Sequence, residues 1–180
     1  MCPHTANKAY YKAKCNDYWI HHIISGGALV KRTKRISPRY LADHFKDPNG
    51  NQKPWAKELS GRMLSLAMDI REKADVAAEN LNIKKNGTDF RFRYLAHVSV
   101  NIIRKDGKGD FDVYSEPIAH PIEDLAHANL VIINKNAPQH ILSSAADPKQ
   151  GHEIFKRLAD LIKICDAQNI SEVEALRQQG

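Results

Sequence analysis

Apolar residues recur along the chain at two periods. Between residues 54 and 86, Leu59, Met63, Leu66, Ile70, Ala74, Ala77 and Leu81 fall every three or four positions. That spacing places them on one stripe of a helix, opened by Pro54 and stopped at Asn86-Gly87. From 90 to 104 the period drops to two: Ala96, Val98, Val100 and Ile102 alternate with His97, Ser99 and Asn101, as a half-buried strand requires. Asp106-Gly107 then predicts a two-residue hairpin turn, with 111–116 folding back antiparallel and 129–135 as a third, mostly apolar strand. Thr5 caps a predicted helix running to about residue 25, with Tyr11, Tyr18, Trp19 and Ile23 on one face. Ser37-Pro38 opens a short helix over 39–46. Asp147-Pro148 opens another to 166 through Ile154, Leu158, Leu161, Ile162 and Cys165, and Ser171 with Glu174 forms a capping box for a last short one. The predicted fold class is α+β: helices packed on a small three-stranded antiparallel sheet, made of a hairpin over 90–117 and a strand over 129–135. One domain is expected across 1–180, with a basic helical third over 1–60.

Length and composition change this picture little. A chain of 180 residues with 42% apolar content can bury one sizeable core. No run approaches the roughly 18 apolar residues a membrane helix needs, so no membrane partner is expected. Cys2, Cys15 and Cys165 form no CxxC pair, which argues against a disulfide framework or a zinc module and for a cytoplasmic, reducing location. No cofactor is expected, and no metal at His120, Glu123, Asp124 and His127.

Charge adds a functional hint. Residues 1–60 hold eleven Lys or Arg against four acids. Lys31, Arg32, Lys34, Arg35 and Arg39 lie among Tyr10, Tyr11, Trp19 and Tyr40, a mix suited to phosphates and unpaired bases. The expected partner of this third is nucleic acid or an acidic protein.

The hairpin supplies candidate chemistry. A turn at Asp106-Gly107 pairs Val100 with Val113 and Ile102 with Phe111 on one face. On the other it sets His97 across from Glu116 and Asn101 across from Asp112. A carboxylate holding one imidazole nitrogen fixes the tautomer and raises the basicity of the other, which is what a general base needs.

The stretches Ala96-His97-Val98-Ser99-Val100 and Val113-Tyr114-Ser115-Glu116-Pro117 resemble the histidine strand and following acid strand of papain-like thiol hydrolases, in particular CHAP-type amidases and protein-glutaminase or transglutaminase-like enzymes. The resemblance implies a cysteine nucleophile on an earlier helix, His97 as base and Glu116 as its orienter, with Asp112 second choice. Cys15 is the matching cysteine, although it falls mid-helix rather than at a helix start. Ser60, 37 residues before His97, is the alternative nucleophile. The expected function is a thiol-dependent hydrolase or acyl-transfer enzyme acting on an amide bond of a macromolecule. The rival is nucleic-acid binding. The element order also resembles PD-(D/E)xK nucleases, which implies Mg²⁺ on Asp112 or Glu116 and Lys135 as the activating lysine, but Ile133 stands where that motif has an acid. A non-catalytic protein that blocks or scaffolds a partner is the third class.

Overall fold

The computed structural model describes residues 10–23, 26–48, 53–67, 70, 92–118, 124–133 and 148–179. A seven-stranded antiparallel sheet organises them. Its strands are β1 (Tyr11–Lys12), β2 (Tyr18–Ile23), β5 (Lys57–Met63), β6 (Tyr94–Ser99), β7 (Phe111–Ser115), β8 (His127–Ile132) and β9 (Lys163–Asp166), in the order β1-β7-β8-β5-β2-β6-β9. A separate two-stranded ribbon joins β3 (Leu29–Val30) and β4 (Arg35–Ile36). The helices are α1 (Pro38–His44), α2 (Val100–Asp106), α3 (Pro148–Leu161) and α4 (Ile170–Glu174). The expectation of helices on a three-stranded sheet is therefore overturned: the sheet is the scaffold, and it joins the first strand to the ninth. Among the described residues, no helix is long and apolar enough to cross a membrane.

One sheet face carries the main core. Trp19, Ile23, Leu59, Met63, Ala96, Val98, Phe111, Val113, Leu130 and Ile132 meet Leu41 and Phe45 near α1, Ile103 of α2, and Phe155 and Leu158 of α3. The opposite face is covered over β2, β6 and β9, where Ile20, Leu95 and Cys165 pack with Leu64, Ile70, Ile170 and Val173. Over β5, β7 and β8 that second face is polar, and it positions the candidate site.

Each departure from expectation has a physical cause. β2 falls in the stretch where the spacing of Tyr11, Tyr18, Trp19 and Ile23 predicts a first helix, since Tyr18–Ile23 shows no clean alternation of apolar and polar residues; the Thr5 cap lies outside the described residues. A strand with both faces covered needs no such alternation, and Trp19, Ile20 and Ile23 are all buried. Leu59 and Met63, four apart, share a helix stripe, but four is also an even number, so they share a strand face equally well. They do so in β5, which overturns the helix predicted to begin at 54; residues 71–91 lie outside the described ones. The alternation through Ile102 also ends early. At Ser99 the backbone turns into α2, which buries Val100 and Ile103, three apart, and leaves Ile102 exposed. Gly107 ends α2 with φ −73, and the left-handed residues are Lys108 and Gly109, so no hairpin forms at Asp106-Gly107.

The remaining elements follow the sequence more closely. Ser37 caps α1, its Oγ accepting from the Tyr40 amide at 3.5 Å. The helix predicted to 166 stops at Leu161, and Lys163–Asp166 joins the sheet instead. β8 occupies most of the predicted third strand, and α4 begins at Ile170, beside the predicted cap.

Candidate functional site: a serine and a histidine on the polar half of the sheet

The β5–β8 register sets Ser60 opposite Asn129 and Arg62 opposite His127. Leu59 and Leu130, one position along, face the main core. Alternation thus sends Ser60, Arg62, His127 and Asn129 to the other side. There the exposed Ser60 Oγ lies 2.9 Å from His127 Nε2. His127 Nδ1 lies 2.7 Å from the main-chain carbonyl of Glu116. A carbonyl only accepts, so Nδ1 carries the proton and donates it, leaving the Nε2 lone pair to accept from the serine hydroxyl. The Glu116 backbone is held in turn, its amide donating to the His127 carbonyl at 2.9 Å.

The Glu116 side chain is clamped in a partly buried ion cluster around the buried Lys53. Lys53 Nζ approaches its two oxygens at 2.7 and 2.8 Å, and Asn129 Nδ2 donates to it at 2.5 Å. Lys53 also donates to Glu58 at 3.1 Å, and Glu58 accepts from Trp55 Nε1 at 2.7 Å. The side-chain exposures of Lys53, Glu58 and Glu116 are 9%, 12% and 20%. Trp55, Tyr10 and Tyr114 pack with centroids 4.7 to 5.9 Å apart and shield the group from water.

Ser60 is also held from behind. The ring of His21 places Nδ1 2.7 Å from the Ser60 carbonyl and Nε2 3.0 Å from the Tyr40 hydroxyl. Nδ1 therefore donates and Nε2 accepts from Tyr40. Burial lowers the His21 pKa to about 4, so the ring is neutral near pH 7 and that pattern holds. The next residue must be glycine: a Cβ on Gly61 would sit 2.4 Å from the Trp19 indole and 2.5 Å from the Ile20 carbonyl.

The residues singled out in the sequence are spread over several parts of the fold. Glu116 does orient a histidine, but through its carbonyl, and the histidine is His127. His97 is on β6, opposite Ile20 and Lys163. Three strands separate β6 from β7, about 19 Å of sheet at ~4.8 Å per strand. The expected His97–Glu116 pair is thus overturned. Burial and Lys163 lower the His97 pKa to about 4, which makes it a weak base.

Cys15 is not on a helix; it is exposed in the loop between β1 and β2. Arg104 donates to its Sγ at 3.0 Å, to the Ala13 carbonyl at 2.9 Å and to Asp112 at 2.6 Å. Asp112 is buried and also meets Lys12 at 3.2 Å, so it clamps this loop rather than serving a histidine.

The basic candidates lie in the turn between β3 and β4, at the first residue of β4 and on α1. Lys31 and Arg32 are exposed, whereas Lys34 meets Asp166 at 3.6 Å, Arg35 meets Asp160 at 3.0 Å and Arg39 meets Asp43 at 3.8 Å. Of the residues weighed for metal, His120 and Glu123 lie outside the described ones, as does Lys135. Asp124 is engaged by Arg62 at 2.6 Å, and both His127 nitrogens are taken.

Sequence reading missed Lys53, Asn129 and His21. Lys53 reads as one more surface cation, and only the pairing of β8 with both β5 and β7 shows that two carboxylates enclose it. Comparison with known proteins finds no matching family model, no matching curated protein and no matching solved structure.

Proposed function

We propose that the protein is a serine-type hydrolase or acyl-transfer enzyme that attacks an amide or related acyl bond, with Ser60 as nucleophile and His127 as general base. The observation that carries this reading is the chain Ser60 Oγ, His127 Nε2, His127 Nδ1, Glu116 carbonyl, with links of 2.9 and 2.7 Å around an exposed hydroxyl. Ser60 takes the nucleophile's part expected of Cys15, and His127 that expected of His97.

The chemistry follows from the tautomer. As Ser60 Oγ bonds to the acyl carbon, its proton passes to His127 Nε2. The resulting imidazolium keeps its Nδ1–H on the Glu116 carbonyl, so the ring stays in place while it holds the proton. The Nε2 proton then moves to the leaving group, and water or an acceptor releases the acyl group by the reverse path.

A fluorophosphonate probe tests this directly, because it forms a phosphonyl ester with an activated serine and expels fluoride. Peptide mass spectrometry should find the adduct on Ser60, and Ser60→Ala and His127→Ala should each abolish it while circular dichroism stays native. Labelling at another serine, or none at millimolar probe, would sink the proposal.

A further inference from the structure

The edge of β5 that faces away from β8 is held at alternate residues, as an antiparallel strand requires, but not by main chain throughout. At Glu58 the partner is Lys46, and the two exchange amide-to-carbonyl hydrogen bonds of 2.8 Å in each direction. At Arg62 it is β2, which places Ile20 opposite and pairs with β5 only there and at Trp19–Met63. Between them, at Ser60, β2 supplies a side chain instead: His21 Nδ1 donates to the Ser60 carbonyl at 2.7 Å. The serine proposed as nucleophile thus sits where an imidazole replaces a rung of the sheet.

That rung differs from an ordinary one in a way that matters. A peptide amide keeps its hydrogen, whereas a neutral imidazole carries one hydrogen on either of two nitrogens, so the bond to Ser60 exists in one tautomer only. Tyr40 selects that tautomer. Its hydroxyl lies 3.0 Å from His21 Nε2, and donation to that nitrogen leaves the ring hydrogen on Nδ1, toward Ser60. Stacking on Trp19, with centroids 5.6 Å apart and planes within 2°, fixes the ring plane. Tyr40 is itself fixed in α1, its amide donating to Ser37 Oγ at 3.5 Å and its ring stacked on His44 at 3.8 Å. Phe45 caps that helix and Lys46 follows at once, so α1 runs directly into the main-chain tie at Glu58.

We propose that Tyr40 and His21 are positioning residues for attack by Ser60, with α1 setting the nucleophile's backbone through the His21 tautomer. The inference rests on Ser60 being the nucleophile, and both residues act through its main chain. Without the Tyr40 hydroxyl the hydrogen is free to move to Nε2, which turns a bare nitrogen onto the Ser60 carbonyl and pushes β5 away at the nucleophile. A displacement of about 1 Å at a reacting atom costs on the order of a hundredfold in rate, so a partial loss of the rung is visible in kinetics.

The test combines the rate of fluorophosphonate labelling at Ser60 in the full chain with the imidazole ¹⁵N shifts of His21, which separate a protonated from a bare ring nitrogen. The unaltered chain should show hydrogen on Nδ1 alone. Tyr40→Phe should slow labelling about tenfold, the worth of one buried hydrogen bond, and shift His21 toward a mixture of tautomers. His21→Asn, whose amide donates from the place of Nδ1, should keep more of the rate than His21→Leu. In the His21→Asn background Tyr40→Phe should slow labelling no further, because Tyr40 acts only through the ring. A chain that never labels at Ser60 would overturn this proposal together with the reading of the site. Labelling in Tyr40→Phe within twofold of the unaltered rate, or equal slowing in the His21→Asn background, would overturn this proposal alone. Hydrogen on His21 Nε2 in the unaltered chain would do the same without any variant having to fold.

Discussion

Replacing Lys53 by Met tests whether the Glu116 clamp is a desolvated ion cluster that holds the site. The substitution keeps an unbranched chain of similar length and removes only the cation. It leaves Glu58 and Glu116 sharing the Asn129 amide, at 3.5 and 2.5 Å, with Trp55 Nε1 the other donor to Glu58. Lys53 is buried and its two carboxylate partners are partly buried, at 12% and 20% side-chain exposure, so the cluster lies nearer the buried class than the exposed one. In the buried class, losing one partner costs about 3–5 kcal/mol, because the orphaned charge stays out of water. For a chain of 180 residues this corresponds to a fall in Tm of roughly 10 °C. Urea unfolding at pH 7, followed by circular dichroism, should show the midpoint move with the slope unchanged. Adding Glu58→Gln should recover part of the loss, with a coupling energy of about 2 kcal/mol between the two positions. The folded variant should also label more slowly at Ser60, since Glu116 no longer fixes the carbonyl that orients His127. A loss below about 1 kcal/mol, the range of an exposed pair, would refute the reasoning. A full loss with unchanged labelling of the folded fraction would make the cluster structural only.

Two further predictions rest on other parts of the site. Gly61→Ala drives a methyl group into the Trp19 indole and the fixed Ile20 carbonyl, so it should cost about 1–3 kcal/mol by overpacking and disturb the backbone beside Ser60; a native unfolding midpoint would contradict the contact. Burial, the largest cause in each case, lowers the pKa of His21 to about 4 and of His22 to about 3, both below the unfolded value near 6.5. Below pH 6.5 the unfolded chain therefore binds protons that the folded chain refuses, and stability present above that pH falls steadily toward pH 4. Unfolding free energy should be lower at pH 5 than at pH 7 by about 1–2 kcal/mol per histidine, and His21→Gln should remove one such share. A pH-independent free energy across that window would count against neutral, buried rings.

The fold was legible where a signal is local. Ser37-Pro38 marks a helix start by a side-chain cap and a fixed φ, and neither depends on the rest of the chain. The apolar run from 129 likewise fits a strand paired on both sides, as β8 is with β5 and β7. Where the structure departs, the signal was a spacing that two geometries share. Leu59 and Met63 satisfy periods of 3.6 and 2 together, and Val98 and Val100 keep alternating after the backbone has turned from β6 into α2. Only partner strands distant in sequence decide such cases, and β2, β5 and β8 lie far apart along the chain.

The site shows the same limit one level up. Ser60, Glu116 and His127 each stood out in the sequence for their chemistry, yet they were attached to different arrangements because pairing was inferred from the nearest turn. A hairpin between β6 and β7 puts Glu116 beside His97; the actual order inserts β8, β5 and β2 between them and puts Glu116 beside His127. That order also explains why the polar residues gather. Over β2, β6 and β9 the second face is closed by Leu64, Ile70, Ile170 and Val173, whereas over β5, β7 and β8 alternation sends Glu58, Ser60, Arg62, His127 and Asn129 to the same side. A sheet surface built only for solvent has no use for a lysine nine-tenths buried between two carboxylates, since exposed pairs do as well without the desolvation cost. Such a cluster is consistent with a group that must be held still, and the backbone it holds is the one that fixes the His127 tautomer against Ser60.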